Sequence, residues 1–227
     1  GKSENVLQTS WWLSTRSIGG LIMMHVDDAG LVLPPRLAPI QVVILPIKSE
    51  GKILASCEEL ENILKDNGIR ANIDNSDNET IGFRINKWEL KGVPIRIEIG
   101  AKEIEQDIIT LVRRDNGEKS NFSRDELQST ITQLLDRIQD QLYQRAEKFL
   151  QENTRGAETY DEFKEILSDT RGFISAFWCE KEECERKIKE ETKATTRCLP
   201  LEAKEENGRC VYCGAAATHQ WLFGQAY

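Results

Sequence analysis

The chain has 227 residues, of which 39% are hydrophobic and 30% charged, and a formal net charge of −8. That length allows one large domain or two small ones. The composition excludes a disordered or fibrous chain, and the acidic balance excludes a binder that spreads basic charge widely over its surface, though not a local basic contact. The longest apolar runs, such as Gln41–Ile47, fall far short of the roughly 20 residues a membrane-spanning helix needs. Gly1–Leu7 has neither an apolar signal core nor an initiator Met. The chain therefore reads as a non-exported tail end of something longer.

In chain order, Val6–Thr15 reads as a strand bearing Trp11 and Trp12. Ser17–Val26, with Ile18, Leu21, Ile22 and Met23, reads as a buried helix whose Gly19-Gly20 pair permits close packing. Leu33–Pro39 (LPPRLAP) holds three of the six prolines and reads as a stiff linker and domain boundary. Gln41–Ile47 is a continuous apolar run, the mark of a strand covered on both faces. Leu54–Asp66 repeats apolar residues at helical spacing and stops at Gly68, with Cys57 on its apolar face as a small core residue. Ile69–Ile73 is a short strand and Ile81–Leu90 a helix ending at Gly92. Ile95, Ile97 and Ile99 alternate with Arg96 and Glu98, a strand with one polar face. Ile108–Arg114 is a strand closed by the turn Asp115-Asn116-Gly117. The capping box Ser123-x-x-Glu126 opens a long helix with Leu127, Ile131, Leu134, Leu135, Ile138, Leu142, Ala146 and Phe149 on one face. Tyr160–Leu167 is a short amphipathic helix, Phe173–Trp178 a strand running into Cys179, and Glu180–Lys193 a solvated helix of mixed charge. Alternating strands and helices predict an α/β fold: a mixed sheet flanked by helices, followed by a small α/β domain at the C-terminus.

Four of the six cysteines form two close pairs, Cys179-x4-Cys184 and Cys210-x2-Cys213, the second followed by Gly214. Six cysteines are too sparse for a disulfide scaffold. Zinc takes four soft ligands at tetrahedral corners, each pair carried on a tight turn, so Cys179, Cys184, Cys210 and Cys213 are the candidate metal ligands. Cys198 reads as a packed thiol, and His219 is a poorer fourth ligand than any of the four sulfurs. The competing reading is a redox CxxC at Cys210 and Cys213, which requires a helix to begin at Gly214-Ala-Ala-Ala.

Three segments together resemble prolyl-tRNA synthetase of the archaeal and eukaryotic type, over essentially the whole chain. Gln8-Thr-Ser-Trp-Trp-Leu-Ser-Thr-Arg16-Ser-Ile-Gly19, His25-Val-Asp-Asp and Gly30-Leu-Val-Leu-Pro-Pro35 look like the third class II signature motif and the segment after it. Trp88-Glu-Leu-Lys-Gly-Val-Pro-Ile-Arg-Ile-Glu-Ile-Gly100, with Lys102, is similar to the anticodon-binding strand. The cysteine set and the ending Gln225-Ala226-Tyr227 resemble the family's C-terminal zinc-binding domain.

The resemblance implies a tail of the class II catalytic domain and linker at 1–39, an anticodon-binding domain at 40–153 and a zinc-binding domain at 154–227. It implies a cytoplasmic, dimeric proline–tRNA ligase that uses ATP with magnesium and proline and acts on proline tRNA. Ser14 and Arg16 then contact ATP, Arg16 holding phosphate through its planar fork. Glu89, Arg96 and Lys102 contact the anticodon, where Glu89 accepts from guanine N–H groups, Arg96 donates to the O6/N7 edge, and Lys102 reaches phosphate or base. The Tyr227 carboxylate points toward the active site. The chain departs from the family pattern at Trp12 and Val26, where the family usually has glycines that allow close backbone approach to the nucleotide. Nothing in it resembles the first two signature motifs, so this chain alone is expected not to activate proline. The alternatives are a standalone tRNA-binding module and a structural zinc protein with no RNA role.

Overall fold

The structure is a computed structural model that describes residues 9–48 and 51–225. Gln8, Ala226 and Tyr227 lie outside the described residues, as does the start of the strand expected at Val6. The chain divides into two compact units, Gly1–Gln144 and Arg145–Tyr227.

In the first unit, residues 9–14 form no strand. Helix α1 (Arg16–Met24) follows, but none of its residues is buried. The helical spacing was sufficient to make a helix, yet nothing described covers its apolar face, and Ile18, Ile22, Met23 and Met24 stand exposed with Trp11, Trp12 and Leu13. A hairpin of β1 (Val26–Asp27) and β2 (Gly30–Leu31) leads into Leu33–Pro39. That segment is docked rather than free. Pro34, Pro35 and Ala38 are buried, and the Arg70 guanidinium donates to the carbonyls of Ala38 and Pro35 at 2.9 Å each.

The central sheet contains β3 (Val42–Pro46), β4 (Ala71–Ile73), β5 (Ile95–Ile99), β6 (Ile108–Arg113) and β7 (Lys119–Ser123) in the order β4-β3-β5-β6-β7. β3 pairs parallel with β4 and β5, through helices α2 (Gly51–Asp66) and α3 (Ile81–Leu90); the short α4 (Ala101–Glu105) leads into the antiparallel β5-β6-β7 ladder. Every residue of β3 is buried, because alternate side chains enter different cores. Val42 and Ile44 join Ile95, Ile97, Leu111 and the inner faces of α2 and α5 (Leu127–Glu152). Val43 and Leu45 meet Trp88 and Val93 on the α3 side. The same alternation in β5 sends Ile95, Ile97 and Ile99 into the large core and leaves Arg96 and Glu98 half-buried on the α3 side.

Two expectations fail at the start and end of α5. Ser123 makes no side-chain cap hydrogen bond, because a 3-10 turn over Arg124–Glu126 stands between it and α5. The buried stripe of α5 stops at Leu142, and Phe149 is 68% exposed.

In the second unit, β8 (Thr154–Gly156), β9 (Phe173–Phe177), β10 (Ala194–Cys198) and β13 (Gln220–Gln225) form a sheet in the order β10-β13-β9-β8, with α6 (Tyr160–Ser168) and α7 (Glu182–Thr192). A two-strand ribbon, β11 (Gly208–Arg209) with β12 (Ala216–Ala217), brackets Cys210 and Cys213. Thr159 and Glu162 form a capping box at the start of α6. Phe163 and Phe223 meet edge-on at 5.3 Å in a core with Ile174, Ile188 and Ala194. Among the described residues no helix is long and apolar enough to cross a membrane.

Candidate nucleic-acid interface and metal centre

The polar face of β5 meets the C-terminal end of α3. Thr80 caps the N-terminus of α3, its hydroxyl accepting from the Phe83 amide at 3.3 Å. Asp74, just after β4, is 5% exposed and accepts from Trp88 Nε1 at 2.6 Å and from Lys87 Nζ at 2.7 Å. These contacts fix the rotation of α3, so that Glu89 faces β5. Arg96 then lies between two carboxylates: Nη1 donates to Glu89 at 2.8 Å and Nε to Glu98 at 3.0 Å. Lys119 on β7 reaches the second oxygen of Glu98 at 2.9 Å. Burial pushes the Glu98 carboxyl up, but hydrogen bonds from Lys119 and Arg96 outweigh it, and its pKa is lowered. Trp88, Glu89, Val93, Arg96, Val112 and Arg114 line a narrow cleft here, with a cavity of about 10 Å³.

Of the three residues expected to contact RNA, the structure brings Glu89 and Arg96 together. Lys102 stands exposed on α4, and among the described residues no ion pair ties it to them. Glu98, two residues after Arg96 and so on the same strand face, is a further residue of the site that the sequence marks only as part of the polar face of β5. Lys119 carries no sequence signal of this role, because KSNFS lacks the apolar alternation that marks a strand.

Ser14 and Arg16 are exposed, Ser14 just before α1 and Arg16 at its first residue. The Ser14 carbonyl accepts from the Ser17 hydroxyl at 2.7 Å.

In the second unit the four expected cysteines converge: the sulfurs of Cys179, Cys184, Cys210 and Cys213 all lie within 4.8 Å of one another. Cys179 is 3.6 Å from Cys184 and 3.7 Å from Cys213. A tetrahedron with metal–sulfur bonds of about 2.3 Å has edges of roughly 3.8 Å, so the donor set fits a thiophilic tetrahedral ion. The strand β9 delivers Cys179, and the first turn of α7 delivers Cys184. The Val211-Tyr212 turn, closed by Gly214 N–H to the Cys210 carbonyl at 2.9 Å, delivers the other two. Gly214 has φ +71°. The Ala215 amide hydrogen-bonds the Cys213 thiol and brings it down to about 7, the kind of donor a thiolate ligand needs. The residues after Gly214 enter β12 and no helix begins there, which removes the feature the redox reading required. Cys198 lies exposed on β10 rather than packed. Its strand neighbours are threonine and arginine, which need no apolar cover. His219 points elsewhere, its Nδ1 3.0 Å from the Thr218 hydroxyl.

Two family models match the chain: "Anticodon binding domain" over residues 41–134, and "Prolyl-tRNA synthetase, C-terminal" over residues 160–227. The chain is 45% identical over 228 residues to Proline–tRNA ligase 2 of Clostridioides difficile (strain 630), covering 100% of this chain and 47% of that protein. Over its whole length the chain is similar to prolyl-tRNA synthetases. It is also 48% identical to the Proline–tRNA ligase of Natranaerobius thermophilus, covering 92% of this chain and 44% of that protein. To the Proline–tRNA ligase of Roseiflexus sp. (strain RS-1) it is 46% identical, covering 99% and 48%. The chain thus spans about half the length of the curated relatives it matches. Within a prolyl-tRNA synthetase framework, the Glu89–Arg96 cleft falls inside the matched anticodon-binding segment and the four sulfurs inside the matched C-terminal one.

Proposed function

We propose that this chain is the anticodon-reading and zinc-bearing part of a proline–tRNA ligase, the enzyme that uses ATP to attach proline to proline tRNA. The observation that carries the reading is Arg96, held between Glu89 and Glu98 at a narrow cleft. A guanine presents N–H donors on its Watson–Crick edge and two acceptors on its O6/N7 edge. Glu89 accepts the donors and Arg96 serves the acceptors. In the free protein the two side chains satisfy each other, so neither is left as a buried uncompensated charge. A base docking at the mouth of the cleft exchanges that mutual contact for its own, while Glu98 keeps the guanidinium plane in place. Lys102, exposed and uncommitted, meets phosphate. A net charge of −8 does not oppose this, because the contact is local.

Zinc would be held by Cys179, Cys184, Cys210 and Cys213; bound, it adds folding free energy to a unit whose core is small. Ser14 and Arg16 belong to the ATP contact of the complete enzyme, with magnesium, and Tyr227 to its active-site approach. The domain limits are 1–39, 40–153 and 154–227, in a cytoplasmic homodimer. This chain by itself is not expected to form prolyl-adenylate; proline-dependent ATP–pyrophosphate exchange by it would overturn that.

The reading is tested by tRNA affinity of Arg96→Ala and Lys102→Ala. Arg96→Ala should cost about 1–3 kcal/mol and relax preference at one anticodon base, while Lys102→Ala should weaken all tRNAs alike and reduce the salt slope by about one. Unchanged binding in both variants would leave a structural zinc protein as the better account.

A further inference from the structure

Arg114 lines the same cleft as Glu89 and Arg96, yet it faces away from solvent, its side chain 8% exposed. Each nitrogen of its guanidinium finds a partner. Nη1 and Nη2 donate to the two oxygens of Asp27 at 2.7 and 2.5 Å. Nη2 also donates to the Gly30 carbonyl at 3.2 Å, and Nε donates to the Glu89 carbonyl at 3.1 Å. Arg114, 87 residues after Asp27 in the chain, therefore clamps the backbone of the anticodon-facing residue to the β1–β2 hairpin.

The backbone packs as tightly as the clamp suggests. A Cβ on Gly30 would lie 2.5 Å from the Leu90 Cα, and one on Gly92 would lie 2.7 Å from the Leu31 carbonyl carbon. Leu33 N–H completes the seam by donating to the Gly92 carbonyl at 3.1 Å. The turn that ends α3 is thus pressed against the hairpin on one side and tied to Arg114 on the other. Asp27 is held ionised to about 2, chiefly by its hydrogen bond from Arg114.

We infer that the Asp27–Arg114 pair is a positioning device for anticodon discrimination: it sets the end of α3 so that Glu89 stands at the right distance and angle from Arg96. The inference rests on the anticodon reading above. Neither residue needs to touch RNA. Asp27 belongs to the hairpin that follows α1, so the accuracy of base reading depends on a residue outside the matched anticodon-binding segment.

The test uses the whole chain and two probes: a proline tRNA transcript, and the same transcript with one anticodon guanine changed to adenine. The readout is the ratio of the two affinities, with the affinity for the altered transcript as a measure of phosphate binding alone. Glu89→Ala, which removes the reading group itself, should collapse the ratio. Asp27→Ala should lower it roughly tenfold, the scale of one well-placed base contact, and Asp27→Asn, which keeps one acceptor, should lower it less. The altered transcript should bind all variants equally. Arg114→Gln should match Asp27→Ala; should Arg114→Gln not fold, Asp27→Ala carries the result, since its carboxylate is 47% exposed and its loss leaves no cavity. A collapse in Glu89→Ala with an unchanged ratio in Asp27→Ala overturns the positioning role alone. An unchanged ratio in both variants overturns the anticodon reading and the positioning role with it.

Discussion

Asp74 joins the sheet to α3, and its removal should be costly. Its carboxylate is buried with a side-chain exposure of 4%. It accepts from Trp88 Nε1 at 2.6 Å, Lys87 Nζ at 2.7 Å and the Ser76 amide at 3.1 Å. Hydrogen bonds to a charged group contribute about 1.5–3 kcal/mol each, without full additivity. Asp74→Ala removes all three and strands a buried indole N–H, while Lys87 keeps Glu79 at 2.6 Å, so a loss of about 2–4 kcal/mol is expected. Asp74→Asn keeps one acceptor and should cost about 1–3 kcal/mol. Burial alone would raise the Asp74 pKa, but the donors from Lys87, Ser76 and Trp88 outweigh it and hold the carboxyl below its ordinary 3.8. A group depressed in the folded state contributes its full stability above its unfolded pKa and loses it as pH falls through the folded pKa. The gap between wild type and Asp74→Asn should therefore be constant at neutral pH and shrink below about pH 4. Urea unfolding followed by tryptophan fluorescence measures both quantities. A loss under about 1 kcal/mol in Asp74→Ala, or a gap that widens on acidification, would refute the reasoning.

Four further outcomes follow from the same structure. Cys210→Ser should take metal content from about one zinc per chain, by elemental analysis, to near zero and lower the melting temperature of the second unit. Gly92→Ala, at φ +73° with a Cβ 2.6 Å from Leu31, should destabilise by more than about 2 kcal/mol in denaturant unfolding. Gly214→Ala, at φ +71° but in open space, should cost only about 1 kcal/mol in the same assay. Phe223→Ala should remove the edge-on partner of Phe163 in the second core and cost about 3–5 kcal/mol, read by thermal or urea unfolding.

Strong periodicities carried most of the fold from the residues alone. The unbroken apolar run at Val42–Pro46 announced a strand buried on both sides, and the Ile95-Ile97-Ile99 alternation announced β5 with its polar face. The cysteine spacing announced the sulfur cluster, since two-residue and four-residue gaps suffice to bring each pair round one point. Polar strands did not announce themselves. Lys119–Ser123 is an edge strand with four exposed residues, and Ala194–Cys198 ends in exposed arginine and cysteine, so neither needs an apolar pattern to hold its place in a ladder. The Ser123 capping box failed because its pattern was sound but the chain spent three residues in a 3-10 turn before α5. At the interface, Glu89 and Arg96 were legible as types, but the Asp27–Arg114 clamp was not. Its partners are 87 residues apart, and no local period links them.

The account stands or falls on whether the cleft at Arg96 selects guanine-bearing anticodons. Titration of the purified protein at modest ionic strength with proline tRNA and with a set of other tRNAs should give clearly tighter binding to proline tRNA, and Arg96→Ala should erase most of the difference. Equal affinity for every tRNA would contradict it.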